Sequence, residues 1–311
     1  MYLALLFLLL KNVIYGATVF FTGELSASVD VLDILALRFL MSFAALFVLK
    51  QTKILKIRVG VRDIFRPTEL HRYIKPLLAA SVFEPVLYMM FETLGITMTT
   101  GITAGVLLSL NPISNCICEE IFLKEKSTPM QKVFLALGIF GVVYISVNTA
   151  SAGGKDTPLG ILCIVLAVIC GSLFLAFSRK SSPHFSAFEI TYFSSMLGTV
   201  VFNFINVARH LAAGDIAQYF SPYCSLDNMI GFVFLAIGST IIATSMNNYA
   251  MSKTQLTTAS AFGGVSTVVT VLIGVLCGEK LYGFHMIGFA FILLRMVGVS
   301  WIAIRNNRKN Q

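Results

Sequence analysis

Ten stretches of predominantly apolar residues follow one another along the chain, each about 17 to 25 residues long, the length needed to cross about 30 Å of hydrocarbon. They run from Leu3 to Phe21, Val31 to Leu49, Ile74 to Thr93, Thr103 to Phe122, Val133 to Ala150, Leu159 to Phe177, Ala187 to Val207, Met229 to Tyr249, Ala259 to Cys277 and Phe284 to Ile304. Turn residues punctuate them, as in Thr22-Gly23-Glu24, Ser181-Ser182-Pro183 and Gly278-Glu279-Lys280. Only 12% of the residues are charged, against roughly a quarter in a soluble domain, and the shortfall is spread over nearly the whole length. The expected fold class is therefore an all-α membrane protein of ten transmembrane helices, with no separate soluble domain.

Lys and Arg remain on the cytoplasmic side of a membrane because their translocation is disfavoured. Seventeen of the 23 basic residues fall on one side of the ten spans: eight between Lys50 and Lys75, then Lys124, Lys126, Lys132, Arg179, Lys180, Lys253, Arg305, Arg308 and Lys309. The other side holds only Lys155, Arg209 and Lys280. This distribution places both termini in the cytoplasm and the chain in a cell membrane. The net charge of +8 is then an orientation signal facing lipid headgroups, not a nucleic-acid patch, since the long basic connection lacks a pattern of stacking aromatics. The first apolar stretch has no basic leader region and no small-residue cleavage site, so it reads as a retained span or as the start of a trimmed chain.

A shift of 154 residues lays Thr103-Ala104 on Thr257-Thr258 and Leu123-Lys124-Glu125-Lys126 on Cys277-Gly278-Glu279-Lys280. Both halves thus end with a hydroxyl-rich helix start, an apolar span, a Glu-Lys pair and a last span. An odd number of spans per half makes the second half enter the membrane from the opposite face, so the two five-helix repeats, 1–150 and 157–305, are inverted. Inverted repeats are a common architecture of transporters.

In order and spacing the chain resembles the EamA-type transporters of the drug/metabolite transporter superfamily. The resemblance rests on Tyr15-Gly16, Leu37-Arg38-Phe39, the stretch from Leu94 through Asn111-Pro112 to Lys124-Glu125-Lys126, Gly238-Ser239-Thr240, Asn248-Tyr249-Ala250 and Gly278-Glu279-Lys280. It covers nearly the whole chain and implies ten helices, alternating access and transport of small metabolites such as amino acids or related solutes. The chain departs from the family pattern at Ser266, where a proline is common, and at Lys11, an unusual charge for the first span.

Two kinds of feature mark a solute pathway. One is a pair of helix interruptions at corresponding depths, Asn111-Pro112 and Gly263-Gly264, which free backbone groups tolerated only inside protein or beside a watery cavity. Pro112 in particular cannot donate to the carbonyl of Leu108. The other is charge within spans: Lys11, Arg38 and Glu84 fall roughly 10 to 15 Å deep at about 1.5 Å per residue, near the midplane. Glu84, Tyr88 and Glu92 recur on one helix face, with Pro85 as a kink beside Glu84. As a functional stripe, Glu84 or Glu92 would bind a cationic group or exchange a proton, and Tyr88 would donate a hydrogen bond; as a structural one, the carboxylates would be ion-paired or buried and protonated. Asn247 and Asn248 need partners in neighbouring helices or in solute. The expected solute-binding set is Arg38, Glu84, Tyr88, Glu92, Asn111, Pro112, Asn248, Gly263 and Gly264.

Catalysis is disfavoured: His-Glu-x-x-His, Gly-x-Ser-x-Gly and paired intramembrane aspartates are absent, and all four histidines lie near span ends. Cys116 and Cys118 point in different directions on a helix and read as small buried hydrophobes rather than a metal pair. No cofactor, metal or nucleic acid is expected; the partners are the lipid bilayer and a small solute. The sequence contains no nucleotide-binding loop, which leaves a gradient of solute, ions or protons as the driving force. A helical scaffold for partner proteins is the alternative reading, which gains nothing from buried charge.

Overall fold

The computed structural model describes residues 2–55 and 57, 71–108, 110–123, scattered positions between 129 and 148, and 156–253, 262–278 and 282–309. Every regular element among them is helical. In order these are α1 (Tyr2–Ser26), α2 (Val31–Gln51), α3 (His71–Ser81), α4 (Tyr88–Thr97), α5 (Gly101–Leu108), α6 (Asn111–Cys118), α7 (Pro158–Ser181), α8 (Ala187–Ala213), α9 (Leu226–Val233), α10 (Thr244–Lys253), α11 (Gly263–Leu276) and α12 (Gly283–Lys309). Wider π-turns join α3 to α4 (Val82–Leu87), follow α6 (Glu119–Leu123) and join α9 to α10 (Phe234–Ala243).

Among the described residues, seven helices are long and apolar enough to cross a membrane, and Val265–Leu276 is a shorter apolar helix. The expected fifth span, the Lys124-Glu125-Lys126 and Glu279-Lys280 pairs and Thr257-Thr258 lie mostly or wholly outside the described residues, as do the side chains of Arg295 and Arg305. The distribution of side chains suits lipid. Phe204, Leu226 and Leu276 are 76%, 75% and 84% exposed, whereas Arg38, Asn206 and Ser172 are at most 1% exposed, an inversion of the soluble pattern.

Local chemistry sets the helix ends. Asp30 accepts from the Leu32 amide at 2.9 Å ahead of α2, and Thr157 with Pro158 starts α7. Ser186 and Glu189 form a reciprocal capping box on α8, which stops at Gly214 with a φ of 76°.

Between helices, close approach and hydroxyl or amide bonds replace the hydrophobic drive that lipid removes. Gly95 of α4 and Gly160 of α7 lie at the contact between those helices, where a Cβ on Gly95 would collide with Ile164 and one on Gly160 would come within 2.7 Å of Met98. Gly16 of α1 and Gly105 of α5 do the same for α11, and the Thr270 hydroxyl donates to the Gly16 carbonyl at 2.9 Å. Along the seam of α2 and α8, Thr199 donates to the Phe39 carbonyl at 2.8 Å and Asn203 to the Ala36 carbonyl at 3.0 Å.

A charged cluster closes one end of that seam. Asp33 of α2 takes Asn206 Nδ2 at 2.8 Å, Arg209 Nη2 at 2.8 Å and His210 Nε2 at 2.9 Å, all from α8. His210 Nδ1 lies 2.8 Å from Asp215, and Arg209 Nη1 is 2.7 Å from Asp30. Asp33→Ala strips three partners at once and is expected to lower stability by about 1–3 kcal/mol, read as a fall in the thermal midpoint of detergent-solubilised protein.

Candidate solute cavity

The third expected span is broken rather than continuous. Pro85 has no amide proton, and Glu84 just before it adopts an extended conformation (φ −138°, ψ 114°), as the steric clash of a pre-proline residue favours. The Tyr88 amide then reaches back to the Phe83 carbonyl, five residues away, which makes the turn wide. Gly198 of α8 leaves the room this break needs, since a Cβ there would come within 2.8 Å of both Phe39 and Pro85. The break aims Glu84 inward.

The fourth expected span is interrupted too, between Leu108 and Asn111. Pro112 leaves the Leu108 carbonyl without its helical donor, and the side-chain amide of Asn111 donates to that oxygen at 2.9 Å instead. Asparagine immediately before proline is thus a local repair of the defect proline creates. In the matching pair of the second half, Gly263 and Gly264 form the first turn of α11, and residues 254–261 before them lie outside the described set.

These two breaks flank a cavity of about 120 Å³. Its walls come from both halves: Lys11, Asn12 and Tyr15 of α1, Glu84, Tyr88 and Glu92, Gly105, Asn111 and Asn115, Gly171 of α7, Ser239, Asn247 of α10, and Gly263, Ser266, Thr267 and Thr270 of α11. One water needs about 10–15 Å³ of such space, so the cavity suits a small solute of roughly ten non-hydrogen atoms. Tyr88 Oη donates to Glu92 Oε1 at 2.6 Å, a short bond that fixes both side chains on one wall. A Cβ on Gly171 would meet the Tyr88 ring at 3.1 Å, so the absence of a side chain there seats that ring.

Of the residues expected from sequence, Glu84, Tyr88, Glu92, Asn111 and Gly263 converge on the cavity. Arg38 and Asn248 are not among its lining residues. Arg38 sits one layer back, 1% exposed, where Nε donates to Thr240 Oγ1 at 2.8 Å and Nη2 to Ser239 Oγ at 3.1 Å. Both hydroxyls belong to the π-turn Phe234–Ala243, where Thr240 also donates to the Leu235 carbonyl five residues back at 2.9 Å. Ser239 itself lines the cavity, so Arg38 acts on it through that hydroxyl. Asn248 is spent on structure: its Oδ1 accepts from Ser178 at 3.2 Å and its Nδ2 donates to Thr191 at 3.2 Å. Pro112 and Gly264 lie in the first turns of α6 and α11, and their side-chain environments are outside the described set.

Sequence reasoning missed Asn115 and Gly171 as lining residues, together with the hydroxyls of α11, and left Asn247 open between neighbouring helices and solute. Asn115 follows Asn111 by one helical turn, which was a usable signal. Nothing in the sequence distinguishes Asn247 from Asn248; only the rotation of α10 decides which faces the cavity.

With this geometry in hand, comparison with known proteins gives a consistent result. The family model of the EamA-like transporter family matches residues 2–147 and 158–301. The chain belongs to the EamA-like transporter family. An uncharacterized transporter of Bacillus subtilis strain 168, YcxC, is 30% identical over 291 residues, covering 93% of this chain and 90% of its own length. An uncharacterized transporter of Archaeoglobus fulgidus is 26% identical over 70% of this chain and 74% of its own length. A solved crystal structure superposes with a TM-score of 0.63 over 97% of this chain and 98% of that one at 17% identity, which shows a shared fold. This EamA-family member is thus a multi-pass membrane transporter, and solute and membrane are its partners.

Tyr88→Phe removes the donor to Glu92 and is expected to cost about 1–3 kcal/mol of stability, measured as a lower thermal midpoint in detergent.

Proposed function

We propose that this chain carries small organic metabolites, amino acids or related solutes, across a plasma membrane by alternating access. The observation that carries the reading is a polar cavity walled by helices of both family-matched segments and flanked by two helix breaks. Polar backbone and side chains at such a depth are tolerated where they line an aqueous or solute-filled space. Glu84, Tyr88, Glu92, Asn111 and Gly263 form the site directly, and Arg38 supports it from behind through Ser239. Asn248, Pro112 and Gly264 contribute by shaping α10, α6 and α11.

Under this reading the halves 1–150 and 157–305 are inverted five-helix repeats, ten spans in all, that rock about the cavity and expose it to one face at a time. A gradient of solute, ions or protons drives the cycle, with Glu84 and Glu92 as the groups able to hold a cation or proton in turn.

Purified protein in liposomes should accumulate one or more members of a pooled metabolite library over empty vesicles, and Glu84→Gln should cut that flux about tenfold or more, the loss of a charged contact to a buried group. Folded protein that moves nothing in either orientation would instead favour a scaffold. The basic-residue distribution further gives a cytoplasmic C-terminus: green fluorescent protein fused there should fluoresce, and an alkaline phosphatase fusion at the same position should be inactive.

A further inference from the structure

The imidazole of His210 meets a carboxylate at each of its nitrogens. Nε2 lies 2.9 Å from Asp33 Oδ1 of α2, and Nδ1 lies 2.8 Å from Asp215 Oδ1, just beyond the end of α8. A neutral ring has one N–H and one lone pair, so it serves one carboxylate and turns a lone pair on the other. Only the doubly protonated ring donates to both. His210 is thus a joint between α2, α8 and the segment after α8, and the joint is complete in one charge state.

That segment continues from Asp215 through two short helical turns, Ile216–Gln218 and Ser221–Cys224. Two tyrosines fasten it besides Asp215. Tyr219 Oη donates to Asn203 Oδ1 of α8 at 2.6 Å, and Tyr223 Oη donates to the Leu37 carbonyl of α2 at 2.7 Å. The Tyr219 ring also meets the His210 ring edge to face, with centres 5.3 Å apart. Residues 215–225 therefore form a strap that crosses from α8 to α2. Its far anchor, Leu37, immediately precedes Arg38, whose guanidinium holds the cavity-wall hydroxyl of Ser239.

The charges around the ring decide what deprotonation does. Asp30 and Asp33 come from α2, Arg209 from α8 and Asp215 from the strap. Arg209 reaches Asp30 at 2.7 Å and Asp33 at 2.8 Å, and its Nη2 lies 3.4 Å from His210 Nε2. Asp33 is the enclosed partner of the ring, its side chain 12% exposed, and Asp215 is the open one, at 40%. A ring with a single proton keeps it for Asp33, because an enclosed carboxylate costs more to leave unpaired, and the Asp215 carboxylate turns to water.

We propose that His210 is a pH-sensitive latch: its protonated ring fastens the strap 215–225 to the seam of α2 and α8, and loss of one proton frees the strap. The sign follows from the geometry. Both contacts are present while the ring is charged, and the contact to the strap is lost as pH rises through the titration of the imidazole, a group that changes charge near neutral pH. On the membrane orientation proposed above, the latch faces away from the cytoplasm. It operates whichever solute the cavity takes, and it sets how firmly α2 is held just ahead of Arg38.

Hydrogen exchange read by mass spectrometry tests the latch on the full chain in lipid nanodiscs, where both faces meet the buffer. The amides of Gln218, Tyr219 and Tyr223 are hydrogen-bonded within the strap and supply the signal. Labelling at about pH 5.5, 7 and 8.5 spans the titration of an imidazole, with times corrected for the base catalysis of amide exchange. Peptides over 215–225 should lose protection about tenfold or more from the lowest to the highest pH, as the loss of a hydrogen bond between charged groups implies. Peptides of α7 should keep theirs. Asp215→Asn, at the surface, and His210→Gln should each give the strap the same protection at every pH.

A strap equally protected at all three pH values in the wild-type chain would overturn the latch without any variant being needed. A pH response that survives in Asp215→Asn would overturn it as well, and so would a loss of protection shared equally by α7, which marks general loosening of the fold.

Discussion

Hydrocarbon offers no hydrogen bonds, so each backbone group freed from a helix inside the membrane must be satisfied by the protein itself, at a cost of several kcal/mol if it is not. The architecture around the cavity follows from that constraint. Proline interrupts the chain at residues 85 and 112, and at the second a neighbouring side chain takes up the carbonyl that proline orphans. The Tyr88 amide reaches the Phe83 carbonyl across the first break, and the Asn111 side chain caps the Leu108 carbonyl at the second. Each repair also shapes the site, because Glu84, Tyr88 and Asn111 are the residues that then face the cavity.

The same economy governs the helix contacts. Glycines at 16, 95, 105, 160 and 198 let backbones and rings approach closely, and hydroxyls donate to carbonyls of adjacent helices, as Thr270 does to Gly16 and Thr199 to Phe39. Such bonds average only about 0.6 kcal/mol each in a membrane, so their number and their fit with close packing matter more than any one of them. Arg38 shows how a full charge is accommodated. A π-turn in the second half presents two hydroxyls to its guanidinium, and one of them, Ser239, also faces the cavity. The wall of the site is thereby tied to a buried cation in the first half.

Much of this was legible in the sequence because composition and spacing report directly on the solvent. Apolar stretches of membrane-spanning length, the break at Glu84-Pro85 and the shared face of Glu84, Tyr88 and Glu92 all follow from one-dimensional pattern, since proline chemistry and helical periodicity are local. At Gly263-Gly264, by contrast, a glycine pair permits a break without forcing one, and the pair begins α11. Arg38 and Asn248 are polar groups in apolar spans, and that pattern signals buried polarity without distinguishing groups that meet one another from groups that meet a solute.

What the sequence by itself determined is the solvent, the helices, the places where helices must break and the membership of a transporter family. These depend on residue type and short spacing. Only the tertiary structure decided which polar groups are consumed by each other and which remain open. Helix rotation and packing send Asn248 to Ser178 and Thr191 while Asn247 faces the cavity, and they bring Lys11 and Glu84, 73 positions apart, to the same cavity without joining them. Satisfaction of a charge or an amide is a property of three-dimensional neighbours, and no pattern along one helix carries it.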